Sequence, residues 1–234
     1  MERALSDVNG YVLAGGKSSR MGRDKALLEL AGKPLVQLAV EKLRQVCAQV
    51  FVLGGRSELA GYAPLVRDLH EGCGPLGGIE AALEHSANEW NLFMAVDMPF
   101  LPAGFLAGWV RSVTARESAR VAMFTVDGRV QPALCLLHKE IAPYVRGAVE
   151  RGKFKLLPVL EGAANEMAGR HGAGFDKVFL NTPWDGDAEL VDGVAVGWTP
   201  TEAEREVRHL WFANLNTPAE FNAAEAFGGA LEME

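Results

Sequence analysis

The amino-acid sequence predicts an α/β fold in which a mostly parallel sheet is covered by helices on both faces. Short, continuous apolar runs alternate with segments of helical periodicity along most of the chain. Such runs are typical of parallel strands, because both faces of a parallel sheet are buried. The chain has 234 residues, of which 49% are hydrophobic and 23% charged, so it is long and apolar enough to fold as one domain.

The first half of the chain contains four predicted strands and two predicted helices. The strands are the apolar runs at residues 10–14, 50–55, 63–68 and 91–97. The first helix, at 34–49, begins with Pro34 and repeats its apolar residues at a spacing near 3.6. We expect Lys42 to lie on its exposed face. The second helix, at 79–87, follows a glycine-rich turn at 72–78.

The second half of the chain continues this alternation. Further strands are predicted at residues 120–126, 131–140 and 209–216. Helices are predicted at 142–152 and 217–227. In the last helix Thr217 can cap the N-terminus, with Pro218 at the first helical position and Glu220 three residues after the cap. In a sheet of this type ligands bind at the carboxyl ends of the strands.

One segment interrupts the single Rossmann-like domain that these elements predict for residues 1–234. Residues 161–206 are rich in Gly, Asp and Glu and carry ten acidic and three basic side chains. Only 176–181 and 193–198 are strand-like within it. We interpret this segment as an acidic insertion that buries little apolar area and packs loosely, far from any phosphate site. Replacement of residues 163–204 by a short Gly/Ser linker is expected to leave folding and activity nearly intact.

The composition argues against several classes of protein. The formal net charge of −7 disfavours a general nucleic-acid or membrane-surface binder, which would carry a basic excess. No apolar run approaches the ~18 residues of a membrane span, and residues 1–10 lack the apolar core of a signal peptide. Cys47, Cys73 and Cys135 match neither a disulfide framework nor a metal pair, so we expect reduced thiols in a cytoplasmic protein.

A glycine-rich basic loop follows the first strand, within VLAGGKSSRMGRDKALLEL at residues 12–30. The paired glycines allow backbone amides to approach an anion, and four cations follow, at Lys17, Arg20, Arg23 and Lys25. The loop matches neither GxGxxG nor the Walker A pattern. A solvated basic loop is the alternative interpretation. The position of the loop, the paired glycines and the cations together favour binding of a triphosphate.

Two carboxylates occupy strand ends, where a parallel sheet presents its functional groups. Asp97 ends the strand at 91–97, and Asp68 ends the run at 63–68. Asp97 could cap a turn, but beside a triphosphate it is a candidate ligand of Mg²⁺, which favours one or two carboxylates with phosphate oxygens and water. Asp68 could contact a ribose, support the metal or cap a turn. The histidines share no metal-ligand spacing.

Four stretches, in this order, resemble the molybdenum cofactor guanylyltransferases within the nucleotidyltransferase superfamily: LAGGKSSRMGRDKALLEL, GPLGGIEAAL, AVDMPFLP and NLNTPAEF. The resemblance covers residues 8–160 and 207–228. The second glycine of the loop and the DKALL stretch favour the guanylyl branch over related enzymes, which tend to have LAAG. The resemblance implies a fold of the nucleotide-diphospho-sugar transferase type. It also implies transfer of GMP from GTP to the terminal phosphate of molybdopterin, with Mg²⁺ as cofactor and release of pyrophosphate.

The resemblance further implies roles for individual residues. The nucleotide would be lined by Leu13, Ala14, Gly15 and Gly16. Arg20 and Lys25 would contact the phosphates and act in catalysis with Asp97, which would hold Mg²⁺. Asp68 would contact the nucleoside. The pterin substrate would lie near Asn214 and Asn216.

Two features depart from the family pattern. The family often has Asn at the end of the second strand, where this chain has Leu53, Gly54 and Gly55, so base recognition there would use backbone. The acidic segment 161–206 exceeds the usual family length. A molybdopterin cytidylyltransferase, a sugar-phosphate nucleotidyltransferase and a non-catalytic nucleotide- or cofactor-binding module stay open as alternatives. Besides its substrates, we expect transient contact with other proteins of molybdenum-cofactor biosynthesis or with apo-molybdoenzymes, and no nucleic-acid or membrane partner.

Overall fold

The computed structural model describes residues 5–15, 24–184, 186, 190–191, 194–195 and 197–231. Its strands are β1 (Leu5–Leu13), β2 (Glu29–Leu30), β3 (Lys33–Pro34), β4 (Cys47–Leu53), β5 (Leu65–Val66), β6 (Trp90–Ala95), β7 (Val121–Val126), β8 (Arg129–His138), β9 (Phe179–Trp184), β10 (Leu190–Val191) and β11 (Val194–Ala195). Its helices are α1 (Leu35–Val46), α2 (Pro75–His85), α3 (Ala103–Thr114), α4 (Ala142–Glu150), α5 (Leu156–His171), α6 (Phe175–Val178), α7 (Glu202–Glu206) and α8 (Pro218–Glu225). None of these described helices is long and apolar enough to cross a membrane.

Seven strands form the central sheet, in the order β5-β4-β1-β6-β8-β7-β9. β8 runs antiparallel to both of its neighbours, β6 and β7, and the remaining pairings are parallel. Helices pack on both faces, so the predicted α/β fold with a mostly parallel sheet is confirmed. Because β1 pairs in parallel with both β4 and β6, the carboxyl ends of three strands lie side by side.

Two apolar layers separate the sheet from its helices. On one face, Val12 of β1 belongs to the core that includes α1 and α3. On the other face, Tyr11 belongs to the core that includes α2, α4 and α5. The Tyr11 ring stacks between Phe51 and Phe93, with centroids 5.4 and 5.2 Å away. Successive residues of β1 therefore point to opposite layers, as the two-residue period of a strand requires.

Most of the predicted elements are confirmed. The predicted strands from 10–14 to 131–140 overlap strands of the sheet, and four predicted helices overlap α1, α2, α4 and α8. The capping box of α8 is present, with Thr217 Oγ1 accepting a hydrogen bond from the Glu220 N–H at 3.2 Å. Helix α3 has no counterpart among the predicted helices. It contains Gly104 and Gly108, which lower the helix propensity of its sequence.

The predicted strand at 209–216 is wrong. Residues Arg208–Leu210 form a single 3₁₀ turn, and no strand follows it up to α8. Trp211 and Phe212 are both buried, and both rings pack against Phe105, with centroids 5.3 and 6.3 Å away. Successive residues of a strand would point to opposite faces. The shared apolar contact therefore explains why this aromatic run does not extend into a strand.

The segment 161–206 is well packed in its first half, so the prediction that it buries little apolar area is wrong there. It contains most of α5, all of α6, and β9, which pairs in parallel with β7 at the edge of the sheet. Apolar residues on one face of α5 recur at helical spacing, whereas its other face is polar. The buried side chains of this half include Ala163, Ala164, Met167, Ala168, Val178, Phe179 and Leu180.

The two tryptophans of this segment also pack into the core. Trp184 and Trp198 lie against Phe105, with ring centroids 5.2 and 6.4 Å away. Both contact Trp211 as well, at 5.2 and 6.0 Å. The aromatic cluster thus joins α3, the end of β9 and the chain that leads to α8.

Lys42 is buried, contrary to its predicted exposed position. Its relative exposure is 2%, and it lines a small cavity together with Pro99 and Leu231. The face of α1 that carries Lys42 is therefore covered by chain segments that are distant in the sequence. Removal of the Lys42 side chain would therefore disturb packing in the interior.

Candidate active site

The carboxyl ends of β1, β4 and β6 meet at one edge of the sheet. Leu13, the last residue of β1, pairs with Leu53 on one side and with Ala95 on the other. Just beyond the strands, the N–H of Val96 donates to the carbonyl oxygen of Leu13 at 3.3 Å. The glycine-rich segment after β1, the turn after β4 and Asp97 after β6 therefore lie on the same edge, as the parallel topology requires.

A cleft of about 180 Å³ opens at this edge, between the ends of β1 and β4 and the N-terminus of α2. Gly54 and Gly74 have φ values of +125° and +60°, which side chains of L residues rarely adopt. Backbone and small or apolar side chains form most of the lining, and Asp68 contributes the carboxylate. The cleft can therefore accept a flat ring and offer backbone groups to its edge. The lining residues are Leu13, Gly15, Leu53, Gly54, Asp68, Gly74, Pro75 and Gly78.

Helix α2 approaches the Asp68 segment through two glycines. A Cβ atom on Gly77 would lie 2.9 Å from the Cβ of Cys73 and 3.3 Å from the carbonyl oxygen of His70. A Cβ atom on Gly78 would lie 3.6 Å from Asp68 Oδ1. The chain from Asp68 to the helix start therefore packs directly against helix backbone, and a larger residue at Gly77 would push this segment away.

The electrostatic surroundings of Asp68 favour its protonated form. Partial burial raises the pKa of the carboxyl above its ordinary value, and the carboxylate of Glu80 raises it further. Glu80 is only 1% exposed, and its Oε2 lies 2.9 Å from His70 Nδ1. A ligand that donates a hydrogen bond to Asp68, such as a sugar hydroxyl or a base N–H, would stabilise the ionised carboxylate.

Of the four cations after the first strand, Lys25 is the one that the structure describes. Its ammonium lies between two side-chain oxygen atoms. Its ammonium forms an ion pair with Asp97 Oδ2 and donates to Asn216 Oδ1 at 2.8 Å. The side chains of Lys25 and Asp97 are 15% and 14% exposed. The pair is thus shielded from most solvent while keeping an open side, as expected where a charged ligand binds.

The capping box of α8 positions Asn216. Glu220 Oε2 accepts hydrogen bonds from the N–H of Asn216 at 2.7 Å and of Thr217 at 2.8 Å. Chiefly because of the Asn216 N–H, the pKa of Glu220 is held below its ordinary value. The N–H of Leu215 donates to the backbone carbonyl of Asp97 at 3.2 Å. The start of α8 is therefore tied to the chain just after β6.

The structure brings together most of the predicted site residues that it describes. Leu13, Gly15 and Asp68 line the cleft, and Lys25 contacts both Asp97 and Asn216. Ala14 is buried beside them. Asn214 is partly buried, and its carbonyl oxygen accepts from Asn216 Nδ2 at 3.2 Å. Gly16 and Arg20, like Lys17 and Arg23, lie outside the described residues.

The sequence profile described as "MobA-like NTP transferase domain" matches residues 10–168. The chain belongs to this family. A molybdenum cofactor guanylyltransferase from Serratia proteamaculans is 35% identical over 164 residues, which cover 67% of this chain and 81% of that protein. The protein of the same name from Vibrio cholerae is 34% identical over 157 residues, covering 65% of this chain and 76% of the other.

A solved structure supports the fold of this MobA-like transferase. The crystal structure of molybdopterin-guanine dinucleotide biosynthesis protein A from Archaeoglobus fulgidus superimposes with a TM-score of 0.66. The two chains are 22% identical, and the match covers 94% of this chain and 98% of that one. The likeness at this identity concerns the fold, and it extends well beyond the residues matched by the family profile.

Two side-chain oxygens of the MobA-like transferase lie close together at the site. A carboxylate oxygen of Asp97 and the amide oxygen of Asn216 both contact the Lys25 ammonium. Oxygens of this kind suit Mg²⁺. In the part of the chain that the structure describes, no group of three or more His, Cys, Asp or Glu side chains could hold a metal ion. A divalent ion here would take its remaining ligands from phosphate oxygens and water, and the donor set fits such an ion.

Several residues of the MobA-like site have no role among the sequence predictions. Gly74, Pro75 and Gly78 line the cleft. Their signal was the segment 72–78, which we assigned as a glycine-rich turn and which overlaps the stretch GPLGGIEAAL of the family resemblance, with no role given to any single residue. Arg56 is the second omission. It contacts residues on either side of the basic loop, and no local pattern marks it, because its partners come from a different part of the chain.

Proposed function

We propose that this protein transfers GMP from GTP to the terminal phosphate of molybdopterin, giving molybdopterin guanine dinucleotide and pyrophosphate. The observation that carries the proposal is the meeting of Lys25, Asp97 and Asn216 beside the cleft that Asp68 lines. The names of the relatives from Serratia and Vibrio support the choice of guanylyl transfer. This transfer needs positioned phosphates and neutralised charge, and it needs no protein nucleophile, because the acceptor phosphate is already anionic.

The cleft supplies the nucleoside part of the proposed site. Backbone of the segment from Leu13 to Gly16 lines the nucleotide, and Asp68 accepts hydrogen bonds from its sugar or base. Leu53 and Gly54 stand where an Asn is common in the family, so the base is recognised there through backbone groups and apolar contact. The positive φ of Gly54 supports this assignment, because it favours glycine at that position and so leaves the wall of the cleft without a side chain there.

Lys25 and Arg20 contact the phosphates in this proposal. The Lys25 ammonium has three N–H donors, and in the described structure Asp97 and Asn216 take two of them. The third is available to a phosphate oxygen. A cation held in this way stabilises the negative charge that develops on the leaving pyrophosphate, which is the form of catalysis that phosphoryl transfer requires.

Asp97 holds Mg²⁺ in the proposed site. When bound, the ion would neutralise negative charge on the phosphates. Asn214 and Asn216 face the pterin substrate, and the capping box of α8 keeps Asn216 in place. Outside the substrates, we propose transient contact with other proteins of molybdenum-cofactor biosynthesis or with apo-molybdoenzymes, which would receive the product.

The direct test is incubation of the protein with GTP, Mg²⁺ and molybdopterin while pyrophosphate release is measured. We expect release that requires all three, and much slower release with CTP or UTP in place of GTP. Faster turnover with CTP would indicate the cytidylyltransferase, and release with a sugar phosphate as acceptor would indicate a sugar-nucleotide enzyme. Binding of GTP without any release would indicate a non-catalytic binding module.

The Asp97→Asn variant tests the metal-binding role in the same assay. Loss of one electrostatic element of this kind typically lowers a rate by about 100- to 1,000-fold. We expect a loss of that size with an unchanged circular dichroism spectrum, since Asp97 lies at the edge of the sheet. A rate within about threefold of the wild type would rule out the assignment.

A further inference from the structure

Arg56 follows the turn after β4 and reaches across to the segment after β1. Its Nη2 donates to the backbone carbonyl oxygen of Ala14, and its Nη1 forms an ion pair with Asp24 Oδ2. The side chains of Arg56 and Asp24 are 30% and 23% exposed. Charge-assisted contacts in such a partly shielded place are stronger than those between fully solvated side chains.

The two partners of Arg56 lie on either side of residues 16–23, the basic part of the glycine-rich loop. Ala14 precedes that part and Asp24 follows it. One guanidinium therefore contacts the chain both before and after these residues. Arg is suited to this task, because its planar fork presents N–H donors in two fixed directions, whereas Lys has a single compact ammonium.

Asp24 transmits this contact to Lys25. Its Oδ1 accepts a hydrogen bond from the N–H of Ala26 at 3.0 Å and so caps the 3₁₀ turn Lys25–Leu27. Its Oδ2 forms the ion pair with Arg56. The carboxylate thus fixes the start of the turn from both sides, and the direction in which Lys25 leaves the backbone depends on it.

We propose that Arg56 is a positioning residue of the transfer reaction, which holds Lys25 in place on the phosphate side of the site through its contacts with Asp24 and Ala14. The inference rests on the proposed function, because Lys25 contacts phosphate only in that assignment. Arg56 is not among the residues that line the nucleoside cleft. Its removal should therefore weaken binding of the triphosphate and leave binding of the nucleoside nearly unchanged.

The test compares binding of GTP and of guanosine by calorimetry in the wild type and in three variants, Arg56→Ala, Arg56→Lys and Asp24→Asn. The Asn variant keeps an oxygen for the cap of the turn and removes the charge that pairs with Arg56. Arg44→Ala is the matched control, because Arg44 also donates to a backbone carbonyl, that of Tyr62 at 2.8 Å, beside the 3₁₀ turn that follows Arg56.

For Arg56→Ala we expect GTP affinity to fall about tenfold and guanosine affinity to stay within about twofold. Arg56→Lys should recover only part of the loss. Asp24→Asn should resemble Arg56→Ala, and the double variant should be little worse than either one, since both remove the same contact. Arg44→Ala should bind both ligands like the wild type.

Equal losses for GTP and guanosine in Arg56→Ala would overturn the inference, because they would indicate a general structural role. Unchanged GTP binding, full recovery in Arg56→Lys, or additive losses in the double variant would overturn it as well. A wild-type protein that binds guanosine but not GTP would overturn the proposed function itself, together with this inference. These outcomes are distinct, so a failure of one proposal is not mistaken for a failure of the other.

Discussion

The site depends on a few side chains whose charges are compensated by residues far away in the sequence. Lys25 lies 72 positions from Asp97 and 191 positions from Asn216, yet its ammonium contacts both. Asp68 is close to a second acidic group, Glu80, which is almost fully buried. Such compensated or crowded charges are typical of sites where function, and not stability, determines the choice of residue.

Replacement of Lys25 by Ala is expected to lower kcat more than it raises KM for GTP. A cation that follows the developing charge on the leaving phosphate acts mainly in the transition state, and its loss should cost about 100- to 1,000-fold in kcat. Steady-state kinetics of pyrophosphate release would measure both constants. Lys153→Ala is the control, since Lys153 is an exposed lysine in the turn between α4 and α5. An effect confined to KM would contradict this role of Lys25.

Asp68→Asn is expected to weaken GTP binding while leaving the protein at least as stable as the wild type. The folded-state pKa of Asp68 is raised, so the carboxyl contributes stability below its unfolded pKa and loses that contribution as the pH rises through the folded pKa. The amide of the Asp68→Asn variant does not ionise, so this variant has no such loss of stability as the pH rises. The stability of the variant relative to the wild type should therefore increase with pH, as thermal unfolding at a series of pH values would measure. A relative stability that falls with rising pH would contradict this account.

At the scale of elements, the first turns of α2 shape the nucleoside cleft. Gly77 and Gly78 allow the chain from Asp68 to Gly74 to pack against helix backbone. Gly169 of α5 has no such neighbour. No atom lies within 4 Å of a Cβ built on Gly169 of α5, which is exposed. The two positions therefore separate the steric role of a glycine from its effect on helix propensity.

Gly78→Ala is expected to lower GTP affinity without a gain in stability, whereas Gly169→Ala should stabilise the protein by about 0.5–1 kcal/mol and leave GTP affinity unchanged. The added Cβ on Gly78 would lie 3.3 Å from Leu53 Cδ1 and would narrow the cleft. Calorimetric binding and thermal unfolding of the two variants would measure both effects. GTP affinity that is unchanged in Gly78→Ala would place the nucleoside elsewhere.

At the scale of the whole molecule, the chain after α4 completes the sheet and closes the aromatic core. β9 is the strand next to β7 at one edge, and the rings of Trp184 and Trp198 pack with Phe105 and Trp211. The chain then returns to the site at Asn216. The segment 161–206 is therefore built into the fold over much of its described length, and its removal has structural consequences that its acidic composition does not suggest.

The buried contacts of β9 and α5 reverse the expectation that the sequence gives for a linker in this segment. A variant in which a short Gly/Ser linker replaces residues 163–204 is expected to lose cooperative thermal unfolding, because it lacks β9 and most of the buried face of α5. A variant in which the same linker replaces only 186–196 should remain folded and active. Within that range the described structure includes the short pair β10 and β11 and a hydrogen bond from Arg208 Nη1 to the carbonyl of Gly186 at 2.6 Å. Circular dichroism melting curves would compare the two. Cooperative unfolding of the first variant would show that β9 is dispensable.

The sequence by itself determined the α/β class, the order of most elements and the strand ends at which functional groups lie. These features follow from local periodicity and from short-range signals such as the Thr217 capping box. The positions of Asp68 and Asp97 at strand ends could be predicted for the same reason.

Only the tertiary structure decided which of these residues meet and which surfaces are covered. Lys25 reaches Asn216 because β1 and β6 are neighbours and the start of α8 is hydrogen-bonded to Asp97. Lys42 is buried by chain near Pro99 and Leu231, and the aromatic run at Trp211 packs against Phe105 and does not extend into a strand. The physical reason is that a local pattern records which faces are apolar, whereas burial and contact depend on the elements that pack against those faces.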